Sequence, residues 1–590
     1  MQKRISELSV FRNIKNYLID ISLKNQINEE RAYLALTIIT GISSALVAVS
    51  LYKIVEGLKH LAGTDTTFTL KSFSIGLMFI WISGWITTRK FPSTSGSGIP
   101  GVRVALAVFH GNIAFYDTIA KFIVSVLSLA SGVSLGREGP TAAISAGIGS
   151  SLGNFFHLSK KRIKALVAVG AAGGIAAAFN TPMAAVVFTL EEVVGDLNAK
   201  MLGSIIISSV VASVVGQFFL GTGNAFSEFN YQLNSVSEIP LYCTVGLVSA
   251  LLGTLWMKSV TTFRRIGHDI FKGHKLSLIT ATFITISLLG QINHHVLGSG
   301  HGTIESALAS LFSDWKTLLS LFALKFVATT ICYGSGISGG LFMPTLLLGA
   351  SLGGFIGSLS QMVFPEISPN IGAFALIGMG AFFAAVIKAP FTSIIMIFEL
   401  TRDYNIILPL MVSNIISYAI ALALDHNSIY EEISEQDGIH LPKKEDYEIL
   451  DTFIVEEAMI QDVQCLKCSD TISSAYLTVK GSSISGYPVL NERNNLIGIV
   501  SSNEISAANL KKENESKVIE EICMRKVIKI YPDQSLMYAL HLLDKFHISR
   551  IPVVSRIDDK KVIGIITAND ITHRFGLHVS ETTQDNLKRN

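Results

Sequence analysis

The stretch Ser131-Gly-Val-Ser-Leu-Gly-Arg-Glu-Gly-Pro-Thr141 returns later in the chain as Ser335-Gly-Ile-Ser-Gly-Gly-Leu-Phe-Met-Pro-Thr345. At nearly the same offset, residues 182–191 match residues 390–399, and both segments begin with proline and end with glutamate. Matches at corresponding places indicate that this part of the chain consists of two related halves. This repeat decides the predicted architecture, because one half must fold much as the other does.

The composition indicates two different environments. Hydrophobic residues make up 49% of the 590 residues and charged residues only 16%, whereas soluble chains carry about 25% charge. Apolar runs dominate residues 31–425, and residues 436–590 have an ordinary soluble composition. Several runs are shorter than the roughly 20 residues of a simple spanning helix and are broken by glycine and proline, which is typical of transporters. The predicted membrane spans lie near residues 31–58, 71–88, 118–135, 201–220, 239–259, 276–290, 316–332, 371–387 and 407–424.

The two halves are expected at about residues 35–220 and 239–425, inside a membrane domain of residues 31–432. Repeats with broken helices at corresponding positions place the substrate near the bilayer midplane, where the halves meet. Residues that both halves share, such as Lys121-Phe122 and Lys325-Phe326, are expected to be architectural. Residues that one half alone carries are the candidates for function. The residues themselves leave open whether the halves are parallel or inverted.

Three glycine-rich stretches precede predicted helices: Gly96-Ser-Gly-Ile-Pro100, Gly136-Arg-Glu-Gly-Pro140 and Gly340-Leu-Phe-Met-Pro344. Glycine lets the backbone approach a ligand closely, and proline is favoured in the first turn of a helix. A helix N-terminus offers unpaired N–H groups and a partial positive charge, so several converging ends can hold an anion without a full buried cation. Any one stretch would also suit a helix-packing turn. Three together, two of them related by the repeat, favour an anion site.

In this order and spacing, the motifs GSGIP, GREGP and GLFMP resemble the signature of the CLC family of chloride channels and chloride/proton exchangers. The resemblance covers roughly residues 35–432 and extends to the C-terminal domains. It implies an all-α polytopic membrane protein with two inverted-repeat halves, followed by an α/β module. It also implies a homodimer in the lipid bilayer, with one anion pathway per subunit and with chloride and protons as the transported partners. No enzyme activity, required cofactor, metal or nucleic acid is expected.

The resemblance also implies roles for individual residues. The hydroxyl of Ser97 would donate to the bound anion, and serine at this place favours chloride where family members with proline tend to favour nitrate. Glu138 would be the gating glutamate, whose carboxylate occupies an anion position when ionised and swings away when protonated. Tyr430 would be a second hydroxyl donor facing Ser97. The implied chloride-binding residues are Ser97, Gly98, Ile99, Arg137, Glu138, Gly139, Leu341, Phe342 and Tyr430.

Glu138 also stands out without the resemblance. An ionisable residue at membrane depth is costly and is a functional candidate by default. Glu138 is specific to the first half, because its repeat partner is Phe342. Helix N-termini favour its charged form, whereas burial and a neighbouring anion favour the protonated form, so such a carboxylate can exchange a proton for an anion. The alternative is a structural ion pair between Glu138 and Arg137.

The adjacent carboxylates Glu191 and Glu192 bear on whether protons are transported. Glu191 aligns with Glu399 in the second half and is therefore expected to be structural. Glu192 aligns with Leu400, and it falls where the resemblance implies the internal proton-transfer glutamate of the exchangers. This favours chloride/proton antiport over the alternative, a passive chloride channel gated by voltage or pH. A surface glutamate at a helix end is the other interpretation of Glu192.

The C-terminal region contains a second, shorter repeat. Gly486-Tyr-Pro-Val-Leu490 and Gly498–Ile505 in the first copy correspond to Ile551-Pro-Val-Val554 and Gly564–Ile571 in the second. This organisation resembles a tandem CBS pair, which often binds adenine nucleotides such as ATP or AMP. In that family the turn Thr567-x-x-Asp570 supplies ribose and phosphate contacts, while the first copy has Ser501 and Glu504 there. A purely structural pair is the alternative. The expected segments are a linker at 433–452, CBS domains at 453–515 and 516–577, and a tail at 578–590.

The remaining features concern location. The basic cluster at residues 160–164 is consistent with a cytoplasmic loop, and residues 1–30 are expected to form an interfacial amphipathic helix. A bacterial inner membrane is the expected location, with the N-terminus and CBS domains in the cytoplasm. Cys465 and Cys468 form a single C-x-x-C without the further ligands of a metal site. Two other classes, a nucleotide sensor without transport and a magnesium channel, would leave the three anion-type motifs without a role.

Overall fold

The computed structural model describes residues 26–64, 69–196, 200–221, 236–271, 274–312, 314–365, 370–439, 450–482, 484–510, 517–525, 527–546 and 548–574. Most of the expected N-terminal amphipathic helix, much of the linker and the whole C-terminal tail lie outside the described residues. The chain divides into two compact units, Met1–Leu441 and Pro442–Asn590.

Two matching series of helices build the first unit. The first series is α1 (Gln26–Ala62), α2 (Leu70–Arg89), α3 (Ile99–Ala107), α4 (Phe115–Ala130), α5 (Glu138–Phe155), α6 (Lys160–Phe179), α7 (Pro182–Phe188) and α8 (Leu202–Leu220). The second series is α9 (Ile239–Ile270), α10 (Lys275–Ile292), α11 (His301–Leu308), α12 (Trp315–Gly334), α13 (Phe342–Val363), α14 (Ile371–Ile387), α15 (Pro390–Thr401) and α16 (Ile407–Leu424). One further short helix, α17 (Ile429–Gln436), follows. The two halves predicted from the repeat are therefore also two equivalent sets of helices.

Reciprocal contacts relate the two halves. Glu191, just past α7, accepts hydrogen bonds from the first turn of α15, where the backbone N–H of Thr392 is 2.8 Å from its carboxylate. Glu399, near the end of α15, accepts in turn from the first turn of α7, with the N–H of Ala184 at 2.8 Å. Each helix therefore places its C-terminal end beside the N-terminus of the other. These equivalent helices run antiparallel, as equivalent helices do in an inverted repeat.

The repeated lysines perform the same task in each half, as expected for shared residues. The Lys121 ammonium group donates to the carbonyl oxygens of Thr94 and Gly96, at 2.8 and 2.7 Å. The Lys325 ammonium group donates to the carbonyl oxygens of Val296 and Gly298, at 3.0 and 2.9 Å. Each buried ammonium thus braces the loop that leads into a short helix, α3 in one half and α11 in the other.

Nine of the helices within the described residues are long and apolar enough to cross a membrane. Two of them, α6 and α13, are absent from the predicted spans, and 83% of the most apolar window of each is buried inside the protein. Their sequences are rich in glycine, alanine and serine, which lower the apolar signal but let helices pack closely. At one such crossing, a Cβ on Gly378 of α14 would lie 2.7 Å from the Cα of Gly353 in α13.

The second unit contains two copies of one strand-and-helix pattern. In the first copy, three strands form one sheet: β1 (Leu466–Lys467), β2 (Gly486–Leu490) and β3 (Leu496–Ser501). The same copy contains the helices α18 (Ile472–Val479) and α19 (Ser502–Asn509). In the second copy, α20 (Leu536–Lys545) precedes the antiparallel pair β4 (Arg550–Val554) and β5 (Val562–Thr567), and a helical segment follows at 568–574. A register shift interrupts the β2–β3 and β4–β5 pairs at equivalent places.

The two copies exchange their leading segments. Ile460, ahead of the first copy, pairs with Ile565 of β5, while Met524, ahead of the second copy, pairs with Ile499 of β3. Val455 correspondingly lies in the hydrophobic core of the second copy. The expected CBS domains at 453–515 and 516–577 are therefore not independent in space, because each copy completes the core of the other.

Candidate functional site

The three glycine-rich stretches meet at one place in the first unit. The N–H of Gly136 donates to the carbonyl of Gly340 at 2.8 Å, and the N–H of Gly340 donates back to Gly136 at 2.6 Å. The N–H of Gly339 donates to the carbonyl of Gly96 at 3.1 Å. Because each stretch leads directly into α3, α5 or α13, these bonds bring three helix N-termini together.

The first residues of these helices are placed to present backbone N–H groups. Gly98, with φ of 86°, precedes α3 in the left-handed conformation that glycine tolerates. Arg137 and Leu341 occupy the corresponding cap positions of α5 and α13, so Glu138 and Phe342 are the first helical residues. The first N–H groups of a helix have no partner inside it. Their partial positive charge suits an anion at this point.

Gly139 allows the close approach of α5 to the Ser97 loop. A Cβ at Gly139 would lie 2.9 Å from the Cβ of Ser97 and 3.1 Å from its carbonyl oxygen. A Cβ also would lie 3.3 Å from the Cα of Gly340. Any other residue at position 139 would have to push these loops apart, so the closeness of the three stretches depends on this glycine.

Two hydroxyl groups line the same place. Ser97 is buried, and its Oγ accepts hydrogen bonds from the N–H of Ile99 at 3.3 Å and from the hydroxyl of Tyr333 at 3.4 Å. Tyr430, the second residue of α17, is fully buried, and its hydroxyl has no hydrogen-bond partner among the residues that the structure describes. A buried hydroxyl without a partner is costly, and a bound anion would satisfy it.

Tyr333 was not among the predicted site residues. It lies near the end of α12 and is the second residue before the repeated motif, where the first half has Leu129. A polar aromatic residue carried by only one half was therefore a signal available in the sequence.

Phe342 belongs to a packed group of aromatic rings. Its ring centre lies 4.6 Å from that of Phe179, 5.5 Å from that of Phe188 and 4.8 Å from that of Phe383. This packing fixes the start of α13, and with it the direction of the backbone N–H groups of Leu341 and Phe342.

Glu138 is buried at the start of α5, and its Oε2 atom has no hydrogen-bond partner within the described part of the chain. The alternative of a structural ion pair with Arg137 is wrong, since no ion pair joins these two side chains in the described residues. The Arg137 guanidinium instead lies 4.2 Å from the ring centre of Tyr52. Glu138 is thus a buried carboxylate at the converging helix N-termini, without an ion pair to any residue that the structure describes.

Glu192 is also buried, so the interpretation as a surface glutamate is wrong. Its carboxylate pairs with the guanidinium of Arg103 in α3 and accepts a hydrogen bond from the Ser428 hydroxyl at 3.0 Å. Arg103 also donates to Glu431 at 2.9 Å. Glu431 has 22% of its side chain exposed against 7% for Glu192, so the same arginine also binds a more accessible carboxylate.

The backbone around Glu192 differs from its counterpart in the second half. Residues Thr189–Val194 form a π-helical turn at the end of α7, whereas the equivalent α15 is a regular α-helix. Such turns occur frequently at functional sites. Here Glu191 reaches α15 while Glu192 reaches Arg103. Arg103, Ser428 and Glu431 were not predicted, because nothing local in the sequence connects α3 with α17.

In the second unit, Thr567 and Asp570 bond to each other. The Asp570 carboxylate accepts from the N–H and hydroxyl of Thr567, at 2.8 and 2.7 Å, and this closes the turn after β5. Ser501 and Glu504 form the same kind of cap in the first copy. Beside the second turn, Arg550 donates to the carbonyl of Gly486 at 2.9 Å, while its Nε is buried without a partner in the described residues.

Three helix N-termini converge on buried hydroxyls and a carboxylate, within a unit whose described residues include nine helices long and apolar enough to cross a membrane. This combination defines a multi-pass membrane transporter for an anion. Residues 76–422 match the voltage gated chloride channel family, and residues 455–511 and 519–576 match the CBS domain. The chain therefore belongs to the voltage gated chloride channel family, the CLC family, and carries a CBS pair. The predicted fold class is confirmed: a helical CLC-type membrane part followed by an α/β CBS module.

Several known proteins are similar to this chain. The H(+)/Cl(-) exchange transporter ClcA of Vibrio campbellii is 31% identical over 64% of this chain and 82% of its own length. The solved structure of a slow cyanobacterial Cl-/H+ antiporter is 25% identical with a TM-score of 0.63, covering 69% of this chain and 97% of that one. A eukaryotic CLC transporter, 20% identical with a TM-score of 0.66, covers 91% of this chain and 97% of its own and supports the fold alone.

Proposed function

We propose that this protein exchanges chloride for protons across a membrane. The observation that carries the proposal is the presence of two buried carboxylates, Glu138 and Glu192, at positions where the second half has Phe342 and Leu400. One lies at the converging helix N-termini and the other lies beside α3 and α17. The similarity to H(+)/Cl(-) exchange transporters supports the same function.

At the anion site, chloride would bind to the N–H groups at the starts of α3, α5 and α13. The Ser97 and Tyr430 hydroxyls would add one hydrogen bond each. Because helix N-termini carry only a partial positive charge, the ion would be held without being trapped. We include in this site the backbone groups at the starts of the three helices, those of Gly98, Ile99, Arg137, Gly139, Leu341 and Phe342. When ionised, the Glu138 carboxylate occupies an anion position itself. When it takes up a proton it becomes neutral, moves aside and lets chloride take that position.

The proton leaves toward the other membrane face through Glu192. Both Glu138 and Glu192 interact electrostatically with the Tyr430 hydroxyl. Glu192 accepts the proton while Arg103 and Ser428 hold its carboxylate in place. One transport cycle thus moves chloride one way and a proton the other, and each Glu returns to its starting state.

Exchange is tested by reconstituting the full chain in liposomes with a chloride gradient and no proton gradient. Chloride flowing down its gradient should drive protons uphill, which an entrapped pH-sensitive dye records. Chloride flow without any proton movement would contradict exchange and favour the second candidate, a passive gated channel. That candidate has its own support in the family to which the chain belongs.

We further propose that the CBS module regulates transport by binding an adenine nucleotide near Thr567 and Asp570. The unpartnered Nε of Arg550 and the nearby Asp570 support this, because a phosphate suits the first and ribose hydroxyls suit the second. Labelled ATP should bind the full-length protein and lose affinity in Asp570→Asn. Glu504→Gln, the same change in the first copy, is the matched control. Equal binding by all three proteins, or none by the wild type, would contradict this site.

The assembly and location also remain proposals. We expect a homodimer in the bacterial inner membrane, with one anion pathway in each subunit and the N-terminus and CBS module in the cytoplasm. The basic start of α6, residues 160–164, supports a cytoplasmic position for that end of the helix. Light scattering of the solubilised protein tests the dimer. Cleavage of the CBS module by protease added outside intact spheroplasts would contradict the orientation.

A further inference from the structure

Two donors hold the Ser97 hydroxyl. The N–H of Ile99 and the hydroxyl of Tyr333 both donate to its Oγ, at 3.3 and 3.4 Å. A serine hydroxyl has two acceptor lone pairs and one hydrogen. With both lone pairs occupied, only the hydrogen is left for another partner. Ser97 must then act toward that partner as a donor.

The position of Tyr333 allows little freedom for its hydroxyl. Tyr333 is 3% exposed, and a Cβ at Gly96 would lie 3.2 Å from its hydroxyl oxygen. The tyrosine therefore packs against the same glycine loop that carries Ser97. The N–H of Gly339, five residues after Gly334 at the end of α12, ties the following loop to Gly96. The geometry of donor and acceptor is thus set by the packing of α12 on this loop.

We propose that Tyr333 is a positioning residue for anion selection, which orients the Ser97 hydroxyl so that it donates to the bound anion. The inference deepens the proposed function and rests on chloride binding at Ser97. Chloride is a single small acceptor and depends on a donor that points at it. Nitrate has three oxygens and can meet a misdirected donor in more than one way. Loss of the Tyr333 hydroxyl should therefore weaken chloride binding more than nitrate binding.

The repeat agrees with a role in function. Position 333 corresponds to Leu129 in the first half, so the hydroxyl is carried by one half only, as are the carboxylates of Glu138 and Glu192. Lys121 and Lys325, which brace loops in both halves, show the opposite pattern.

The test compares Tyr333→Phe with wild type, using calorimetric titration of the full-length, solubilised protein with chloride and with nitrate. The phenylalanine keeps the ring and removes one hydrogen bond, so chloride affinity should fall by about three- to tenfold, and the preference for chloride over nitrate should fall with it. Tyr33→Phe is the matched control. It removes another buried tyrosine hydroxyl, one without a partner in the described residues, and it should change neither affinity.

A double-mutant cycle separates positioning from a general structural effect. If Tyr333 acts through the Ser97 hydroxyl, Tyr333→Phe should have no further effect in a Ser97→Ala background. Unchanged chloride affinity in Tyr333→Phe, an equal loss for nitrate, or an additive effect in the double variant would each overturn the proposal. So would failure of Tyr333→Phe to fold, because the role is then not confined to the anion. Wild-type proton coupling is measured separately, so a failure of exchange is distinguishable from a failure of this inference.

Discussion

Replacing Glu192 with glutamine removes the protonatable group nearest the inner end of the proposed proton route and keeps almost the same shape. In the wild type, the carboxylate pairs with Arg103 and accepts from Ser428 at 3.0 Å. The amide oxygen of glutamine can still accept from both donors. The surrounding packing should survive, whereas the negative charge and the proton-binding site are lost.

The structure sets the size of the expected effects. Removing one partner of a buried ion pair costs about 3–5 kcal/mol when the other charge is left alone. Arg103 is not left alone, because Glu431 remains at 2.9 Å. We therefore expect a smaller loss of unfolding free energy, about 1–3 kcal/mol. Proton flux should fall at least about a hundredfold, which corresponds to about 2.7 kcal/mol in the barrier. Chloride flux should stay within about threefold of wild type, a change of under about 1 kcal/mol.

Both fluxes are measured in the same proteoliposomes, with a chloride electrode outside and an entrapped pH dye. Glu191→Gln is the matched control, because it makes the same change one residue away. Glu191 accepts from the first turn of α15, so its loss should lower thermal stability and leave the ratio of protons to chloride unchanged.

Two results would refute the reasoning. A proton-to-chloride ratio in Glu192→Gln equal to that of wild type would remove Glu192 from proton transfer. A parallel loss of both fluxes in a protein that is folded would show that Glu192 supports the anion pathway instead.

Three further predictions follow from the packing. Gly139→Ala should weaken chloride binding by about tenfold or more, equal to about 1.4 kcal/mol, because the new Cβ would lie 2.9 Å from the Cβ of Ser97. Titration calorimetry measures the affinity, and Gly101→Ala is the control because there is open space around Gly101. Equal chloride affinities in the two variants would contradict the close approach. Glu399→Gln should lower the unfolding free energy by about 1–3 kcal/mol, since a charged acceptor at the start of α7 is lost. An unchanged melting temperature would show that the reciprocal contacts between α7 and α15 do not stabilise the protein. Arg550→Ala should destabilise the second unit by about 1–2 kcal/mol, because its hydrogen bond to the carbonyl of Gly486 in β2 is lost. Scanning calorimetry of the full chain should show unfolding at a lower temperature than in wild type. An unchanged unfolding temperature would contradict this prediction.

Much of the fold could be predicted because the repeated motifs can be recognised in the amino-acid sequence. The start of α5 at Glu138 and of α13 at Phe342 follow from the glycine–proline pattern that both copies share. The spans α6 and α13 could not be found in the same way. Their glycine, alanine and serine residues reflect close packing inside the protein, and hydropathy is a measure of contact with lipid. Helix α4 also ends at Ala130, earlier than the predicted span, and Gly132 just beyond it has a positive φ of 86°.

The site was partly predictable for a related reason. Glu138 and Glu192 were visible because each lacks an acidic partner in the other half. The network around Glu192 was not visible, because Arg103 and Glu431 are brought together only by the packing of α3 against α17. The π-helical turn at Thr189–Val194 was not visible either, because Glu191 and Glu399 occupy equivalent positions but only the first half departs from α-helical geometry there.

The most direct test of chloride/proton exchange is the reversal voltage of purified protein in a bilayer with equal chloride on both sides and a pH gradient across it. Exchange predicts a reversal voltage away from zero that shifts with the size of the pH gradient, because each chloride moves with the counterflow of protons. A reversal voltage that stays at zero at every pH gradient would contradict exchange and leave a passive chloride channel.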